Sequence, residues 1–538
     1  MLAGLASLTR SRYHATMPND PDDESPEPSM DDRPPWPKLP WIDRLAVVGA
    51  LTIAAVTTVP RLPPSICYDD FGDLQLASET LGIMHPTGYC GYVTLGYLIT
   101  RIPGVDPAYM VSLACLFSGI VALWLCILMQ VRLGVNAWLA SAMSLVLLAH
   151  PRVWSNLVAP EVYAPSLAFL VAAAYMLIRY SRLGVRRDLL VAALLFGVGL
   201  ANRPPILFTL PFFLIAWWLA RRKWEASWRQ WATSLSLAAL CAALPVLYTL
   251  GFLWFRDRPD APYNYIEQYN LQWKVLPDAK AGWKAKLERI TWHSSGKQFR
   301  KYMGSSWPRL RSKLRWLRYE LLPHELQPTL AIACCTVVLG VVITYRRCRP
   351  SASLLPGMVI GSVIFVCAYR VHGQSADLLP LLFAATVLGG VAASPLLGQQ
   401  CGRVREFVAV AFLTAMCVVT VTDAPNRRHT GERADATSFV TELDMRTLPK
   451  YAVICTDWRA WPPLQYAQQV LTKRSDIHII NADPRHWLTM SSGMEDRPVF
   501  FTRKYRPVQG LALSPYRNLW RLERPGSAGI PTNIPQSP

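Results

Sequence analysis

Apolar residues gather in long runs separated by short polar stretches, at roughly 43–60, 109–130, 136–150, 158–179, 189–202, 205–220, 231–255, 327–345, 353–370, 378–397 and 406–422. About twenty apolar residues in helical form match the hydrocarbon thickness of a bilayer, so the pattern predicts a polytopic α-helical membrane protein of about 11 spans. Before the first run, residues 1–42 are rich in Pro, Asp, Glu and Ser and lack an apolar period, which predicts a disordered cytoplasmic tail. It does not read as a cleavable signal, because the first apolar run comes late and no small-residue cleavage site follows it. After residue 422 the pattern turns soluble. YAVICTDW, DIHIINA and RPVFFTR read as short buried strands alternating with the helix-like PPLQYAQQVLTKR and PRHWLTMSS, so residues 423–538 are expected to form a small α/β domain. That segment holds no GxGxxG, and nothing in it points to a nucleotide.

Composition supports the membrane reading, since 52% hydrophobic and only 17% charged residues is too apolar for a soluble chain of this length. The net charge of +19 suggests nucleic acid only until its distribution is read. Arg132, then Arg179, Arg182, Arg186 and Arg187, then Arg221, Arg222, Lys223 and Arg229, then Arg346, Arg347 and Arg349, then Arg403 and Arg405 all fall in alternate inter-span loops. Such clusters orient spans. The remaining loops, 61–108, 150–161, 256–326 and the short one around His372, are thereby assigned to the outer face together with the C-terminal domain. The outer loop 256–326 mixes Arg, Lys and Trp at helical spacing, as an amphipathic helix in the headgroup layer does.

Candidate chemistry concentrates in Tyr68–Tyr92, where Asp69, Asp70 and Asp73 follow the first span directly, with Gly72 among them. Clustered acids beside hydrocarbon point to a site, the plainer reading being an acidic helix cap. If the loop is helical, Asp70 and Asp73 lie one turn apart on one face and Asp69 points elsewhere. His85 stands in a Gly/Pro turn, where a lone histidine is either structural or a substrate contact. Glu161 is either a helix N-terminal cap or a sugar-facing acid. Arg203, between two tightly spaced apolar runs, calls for an anion. Lys297 and Arg300 are phosphate candidates or snorkelling surface cations. Cys67 and Cys90 bracket the acidic loop as either a disulfide or two free thiols. No zinc-type Cys/His spacing is present.

The stretch Asp70-Phe-Gly-Asp73, with Ala77, Leu81-Gly-Ile83 and His85-Pro-Thr-Gly-Tyr89, resembles the signature of the bacterial membrane family known as domain of unknown function 2723. The O-mannosyltransferase family of transmembrane protein 260, in the glycosyltransferase C superfamily, is similar to it. Trp154 with Glu161-Val-Tyr163, Gly199-Leu-Ala-Asn202, Trp292–Gln298 and Leu464-Gln-Tyr466 agree in order, so the resemblance covers roughly residues 45–520. Thr87 and Cys90 replace prolines of the pattern, and the acid expected near Arg370–Asp377 comes late.

The resemblance implies a glycosyltransferase C-like domain over 43–422 that takes a sugar, mannose among the candidates, from a polyisoprenyl-phosphate carrier. The acceptor would be a protein or an envelope glycan, and the expected location is the periplasmic side of a bacterial inner membrane. It further implies Asp70 as general base, Asp73 as its partner or as ligand of a divalent ion (Mg or Mn), and His85, Glu161, Arg203, His293, Lys297, Gln298 and Arg300 as substrate-binding residues. Two other readings stay open. A lipid-linked substrate transporter or flippase would place its acids and Gly/Pro breaks near mid-membrane, whereas these acids cluster at one face. A non-catalytic envelope scaffold would have no need of Asp70.

Overall fold

The computed structural model describes residues 39–224, 227–304, 306–321, 330–369, 374–395, 402–424, 434–491, 494, 496–504 and 511–523. The expected tail up to residue 38 and the loop at 370–373 with His372 lie outside them. The helices are α1 (Trp41–Thr58), α2 (Asp69–Thr80), α3 (Cys90–Thr100), α4 (Pro107–Arg132), α5 (Ala137–Ala149), α6 (Pro151–Val158), α7 (Tyr163–Leu183), α8 (Arg186–Asn202), α9 (Leu210–Trp224), α10 (Trp228–Arg256), α11 (Tyr265–Trp273), α12 (Trp283–Ser294), α13 (Trp307–Leu321), α14 (Leu330–Arg347), α15 (Arg349–Ala368), α16 (Leu379–Ala393) and α17 (Gly402–Asp423).

Each of the eleven apolar runs carries a helix, and eight of these helices are long and apolar enough to cross a membrane. The number is lower than the run count because α5 and α8 stop short, at Ala149 and Asn202, and α14 is only partly described. Within the bundle α7 packs against both α4 and α8, and α10 lies along α8. A continuous apolar core results, with Ala140, Ala164, Leu170, Leu354 and Phe383 fully enclosed.

The loop helices α2, α3 and α11–α13 meet at one end of this bundle. Bridges between Cys67 and Asp435, Ile83 and Asn264, and Met303 and Tyr369 draw four separate chain segments together there. In α13 Leu317 is the buried residue, while Arg309, Arg311, Arg315 and Trp307 face outward, as an amphipathic surface helix requires.

The C-terminal region adds α18 (Thr437–Leu443), α19 (Trp461–Tyr466) and α20 (Trp487–Ser491) around a sheet of β1 (Val453–Thr456), β2 (His478–Asn481), β3 (Val499–Phe501), β4 (Ala512–Tyr516) and β5 (Leu519–Glu523). The strand order is β2-β1-β3-β5-β4. β1 runs parallel to β2 and β3, and these three are the strands expected from the sequence; the antiparallel pair β4–β5 was not. β1 and β3 are buried on both faces, which explains their largely apolar sequences. β4 carries Pro515, tolerated because β4 is an edge strand. One apolar cluster joins Leu74, Ile83 and Tyr263 of the loops to Trp461, Leu464 and Phe500 of this domain, so the domain shares a core with the acidic loop.

Candidate active site

The acidic loop is helical from Asp69, and its first turn depends on Gly72: a Cβ there would lie 2.0 Å from the Cys67 carbonyl oxygen. That close approach folds the end of the first outer loop across the helix start. Gln75 fixes the same crossing. Its Oε1 accepts from the Cys67 N–H, and its amide nitrogen donates to the carbonyls of Ser65 and Ala108 and to Ser112 Oγ. Backbone bonds from Tyr68 N–H to the Ala434 carbonyl and from Asp69 N–H to the Arg459 carbonyl then attach the loop to the C-terminal domain.

Asp70 and Asp73 share one face of α2, and His85 lies against both. Asp73 is fully buried. Its Oδ2 accepts from the His85 backbone N–H at 3.0 Å and sits 2.5 Å from His85 Nδ1, and its Oδ1 accepts from the Tyr263 hydroxyl. Asp70 is the open member, 49% exposed, with His85 Nδ1 4.0 Å from its Oδ1 and Trp458 Nε1 donating to the same oxygen at 2.7 Å. Burial disfavours the imidazolium, but the Asp70 charge and the bond and charge of Asp73 outweigh it and push His85 up to about 9. At neutral pH His85 is therefore an imidazolium held between Asp73 and Asp70, and Asp70 is the member that faces outward.

Arg203 has the anion the sequence demanded: it pairs with Asp377, and its guanidinium lies 3.9 Å over the ring of Tyr163. The late acid of the 370–377 segment thus takes a defined place, beside a small apolar cavity between α7, α15 and α16. Glu161 accepts from the neighbouring Val162 N–H at 3.0 Å, just ahead of α7. Burial, then the charge of Asp70, push its carboxyl up to about 7 against the pull of His85 and Arg203.

Lys297, Gln298 and Arg300 lie on a 3-10 turn over Lys297–Tyr302, with both cations exposed and Gln298 Oε1 accepting from the Tyr265 hydroxyl. The Met303–Tyr369 bridge anchors the end of this turn.

One expectation is corrected and two open alternatives close. His293 does not face the open site: it is fully buried behind Gly88, whose φ of +90° suits glycine and whose Cβ would lie 2.9 Å from His293 Nε2. Burial, then the charge of His85, lower it to about 3, and it stays neutral. Cys67 and Cys90 are separate free thiols, because Cys67 sits on the bridge to Asp435 while Cys90 Sγ turns toward the Thr249 carbonyl. Asp73 does not fit a metal ligand, since protein donors take both its oxygens. Among the described residues no group of three or more His, Cys, Asp or Glu is placed to hold a metal ion.

Sequence reasoning missed Gln75, Tyr263, Trp458 and Asp377. Trp458 is 388 positions from Asp70, and no local pattern joins them. A Trp-Arg pair immediately after a buried strand, where binding residues gather in α/β folds, was the available signal.

Residues 70–228 match the profile described as the Protein O-mannosyl-transferase TMEM260 N-terminal domain. A search of the curated proteins returns no significant match to the sequence. Among solved structures the fold is similar to ArnT from Cupriavidus metallidurans bound to undecaprenyl phosphate, at 13% identity and a TM-score of 0.56, covering 90% of this chain and 97% of that one. The apo form of the same protein aligns over the same shares at 13% identity and a TM-score of 0.51. The chain is an integral membrane protein with a fold similar to that of ArnT, and over residues 70–228 it resembles the O-mannosyltransferase family named by that profile.

Proposed function

We propose that this protein is a membrane glycosyltransferase that moves a sugar, mannose being the first to test, from a polyisoprenyl-phosphate carrier to an acceptor hydroxyl on the outer face of the membrane. The observation that carries the reading is the Asp70–His85–Asp73 cluster: an open acid beside a histidine ring that a buried acid holds in place. Asp70 accepts the proton of the acceptor hydroxyl as its oxygen attacks the anomeric carbon. The bond from that carbon to the carrier phosphate breaks, and its electron pair leaves with the phosphate. Exposed Lys297 and Arg300 supply the cations that stabilise the departing phosphate. Arg203 is already neutralised by Asp377, and the proposal gives the pair a positioning role beside the site.

The fold shared with a protein crystallised with undecaprenyl phosphate supports a lipid-linked donor. The arginine clusters in alternate loops support placing the site on the periplasmic side of a bacterial inner membrane. The test is transfer of labelled mannose from polyprenyl phosphate in proteoliposomes, with loss of transfer in Asp70→Asn expected. Absence of transfer from any polyprenyl-phosphate sugar would sink the reading. In intact cells, membrane-impermeant thiol reagents should label Arg300→Cys and not Val185→Cys; the reverse would overturn the sidedness.

A further inference from the structure

A cleft of about 290 Å³ opens between α11 and the C-terminal sheet, outside the charge cluster but joined to it by packed side chains. The connection is aromatic. Trp458, which donates to Asp70, meets Tyr265 edge-on at 5.7 Å, and Tyr265 stacks on Tyr269 at 5.9 Å; both tyrosines line the cleft. The opposite wall is β2, the outermost strand on the parallel side of the sheet. His478 N–H bonds the Ala452 carbonyl and Ala482 N–H bonds the Thr456 carbonyl. In a parallel ladder the residues between alternate, so the backbone groups of Ile479 and Asn481 point away from β1 and into the cleft. Among the described residues no strand pairs with that edge. Across from it, Gln268 Oε1 is buried without a hydrogen-bond partner.

We propose that the acceptor is an extended polypeptide that docks by adding a strand to the free edge of β2. Unpaired strand edges bind a peptide main chain through regularly spaced donors and acceptors, largely independent of its side chains. A glycan has no such repeat to offer Ile479 and Asn481. The buried oxygen of Gln268 takes a backbone N–H from the opposite flank of the docked chain, and the Tyr269–Tyr265–Trp458 ladder directs a Ser or Thr hydroxyl toward Asp70. This inference rests on the transferase reading for the reaction that follows docking, but docking itself is measurable without it.

The experiment is fluorescence anisotropy of the full-length protein in detergent with a dye-labelled peptide of alternating Val and Thr. Saturable binding is expected, weakened about tenfold or more when alternate backbone nitrogens of the peptide are methylated. Ile479→Pro removes an outward N–H without touching the β1 ladder, and should weaken binding by a similar factor at unchanged thermal stability. Should that variant unfold, the methylated peptide decides. Absent binding, binding indifferent to methylation, or displacement by a mannose oligosaccharide at the same concentration as by unlabelled peptide would overturn the proposal. Peptide binding without sugar transfer would instead sink the transferase reading and leave the docking site standing.

Discussion

Two three-membered charge clusters sit on the same face of this protein, and they differ in what they leave open. In one, Arg289 bonds Asp257 and Glu267, each at 2.7 Å from Nη2, with Arg289 and Asp257 fully buried and Glu267 22% exposed. In the other, His85 stands between Asp73 and Asp70, with exposures of 14%, 0% and 49%. The first ties α12 to α11 and to the end of α10, and every charge is spent on a partner. The second closes at its buried end and opens at the other. The cations differ correspondingly: a guanidinium never gives up its proton, whereas an imidazole does so within reach of physiological pH. A staple needs the former. A site that must hold an acid ionised and let it exchange protons is better served by the latter.

The largest effects should separate the clusters by kind. Asp70→Asn keeps shape and hydrogen bonding but loses proton affinity, so turnover should fall about 10²–10⁴-fold with carrier binding and melting temperature nearly unchanged. Arg289→Met should do the opposite. It leaves two acids unpaired, one of them buried, at a cost of about 3–5 kcal/mol, while the fraction that stays folded should retain turnover. An Asp70→Asn protein with near wild-type turnover would erase the contrast and move the proton acceptor to Glu161.

Asp73→Asn tests whether the buried end governs the open one. The His85 proton loses its main hydrogen-bonding partner, and turnover at pH 7.5 should fall about 10–100-fold, with no rescue by Mg or Mn because the carboxylate oxygens already serve protein donors. Stability supplies an independent check. Since the folded value of His85 is raised from 6.5 to about 9, its stabilisation is complete below pH 6.5 and is lost as pH rises through 9. Melting curves across that window should be flatter in Asp73→Asn than in wild type. A smaller loss, about tenfold, is expected for Trp458→Phe, which keeps the ring and removes the donor to Asp70. Wild-type turnover in Trp458→Phe would detach the C-terminal domain from the chemistry.

Much of the first cluster's neighbour was legible in the sequence. Spacing alone put Asp70 and Asp73 on one helical face, and the apolar runs gave the helices that carry them. What spacing cannot show is which acid is buried. That depends on Tyr263, brought in from the start of a long loop, and on Trp458, brought in by a domain whose core proves continuous with the loop. Arg203 shows the same limit from the other side. Its need for an anion followed from its place between apolar runs, yet the partner, Asp377, is 174 positions away. His293 was misread because a histidine in a polar loop looks accessible, and only the glycine turn in front of it reveals the burial. β4 and β5 were missed because Pro515 breaks the strand pattern that an edge position permits.

Glu161→Gln sharpens the comparison at its finest point, because Glu161 feels the charge of Asp70 and its carboxyl is raised from 4.5 to about 7. A raised acid keeps its proton in the folded state while the unfolded chain gives it up, so between pH 4.5 and 7 this residue makes stability fall as pH rises, and above 7 the loss levels off. The window lies below that of His85, whose contribution fades between 6.5 and 9. Two separate slopes are thus expected in the wild-type melting temperature, and Glu161→Gln should flatten only the lower one. Because Glu161 already bonds the Val162 N–H and the proposal gives the proton to Asp70, turnover at pH 8 should change by no more than about threefold. A fall as deep as that of Asp70→Asn, with the lower slope unchanged, would mean that Glu161 takes the proton and that Asp70 serves only to tune it.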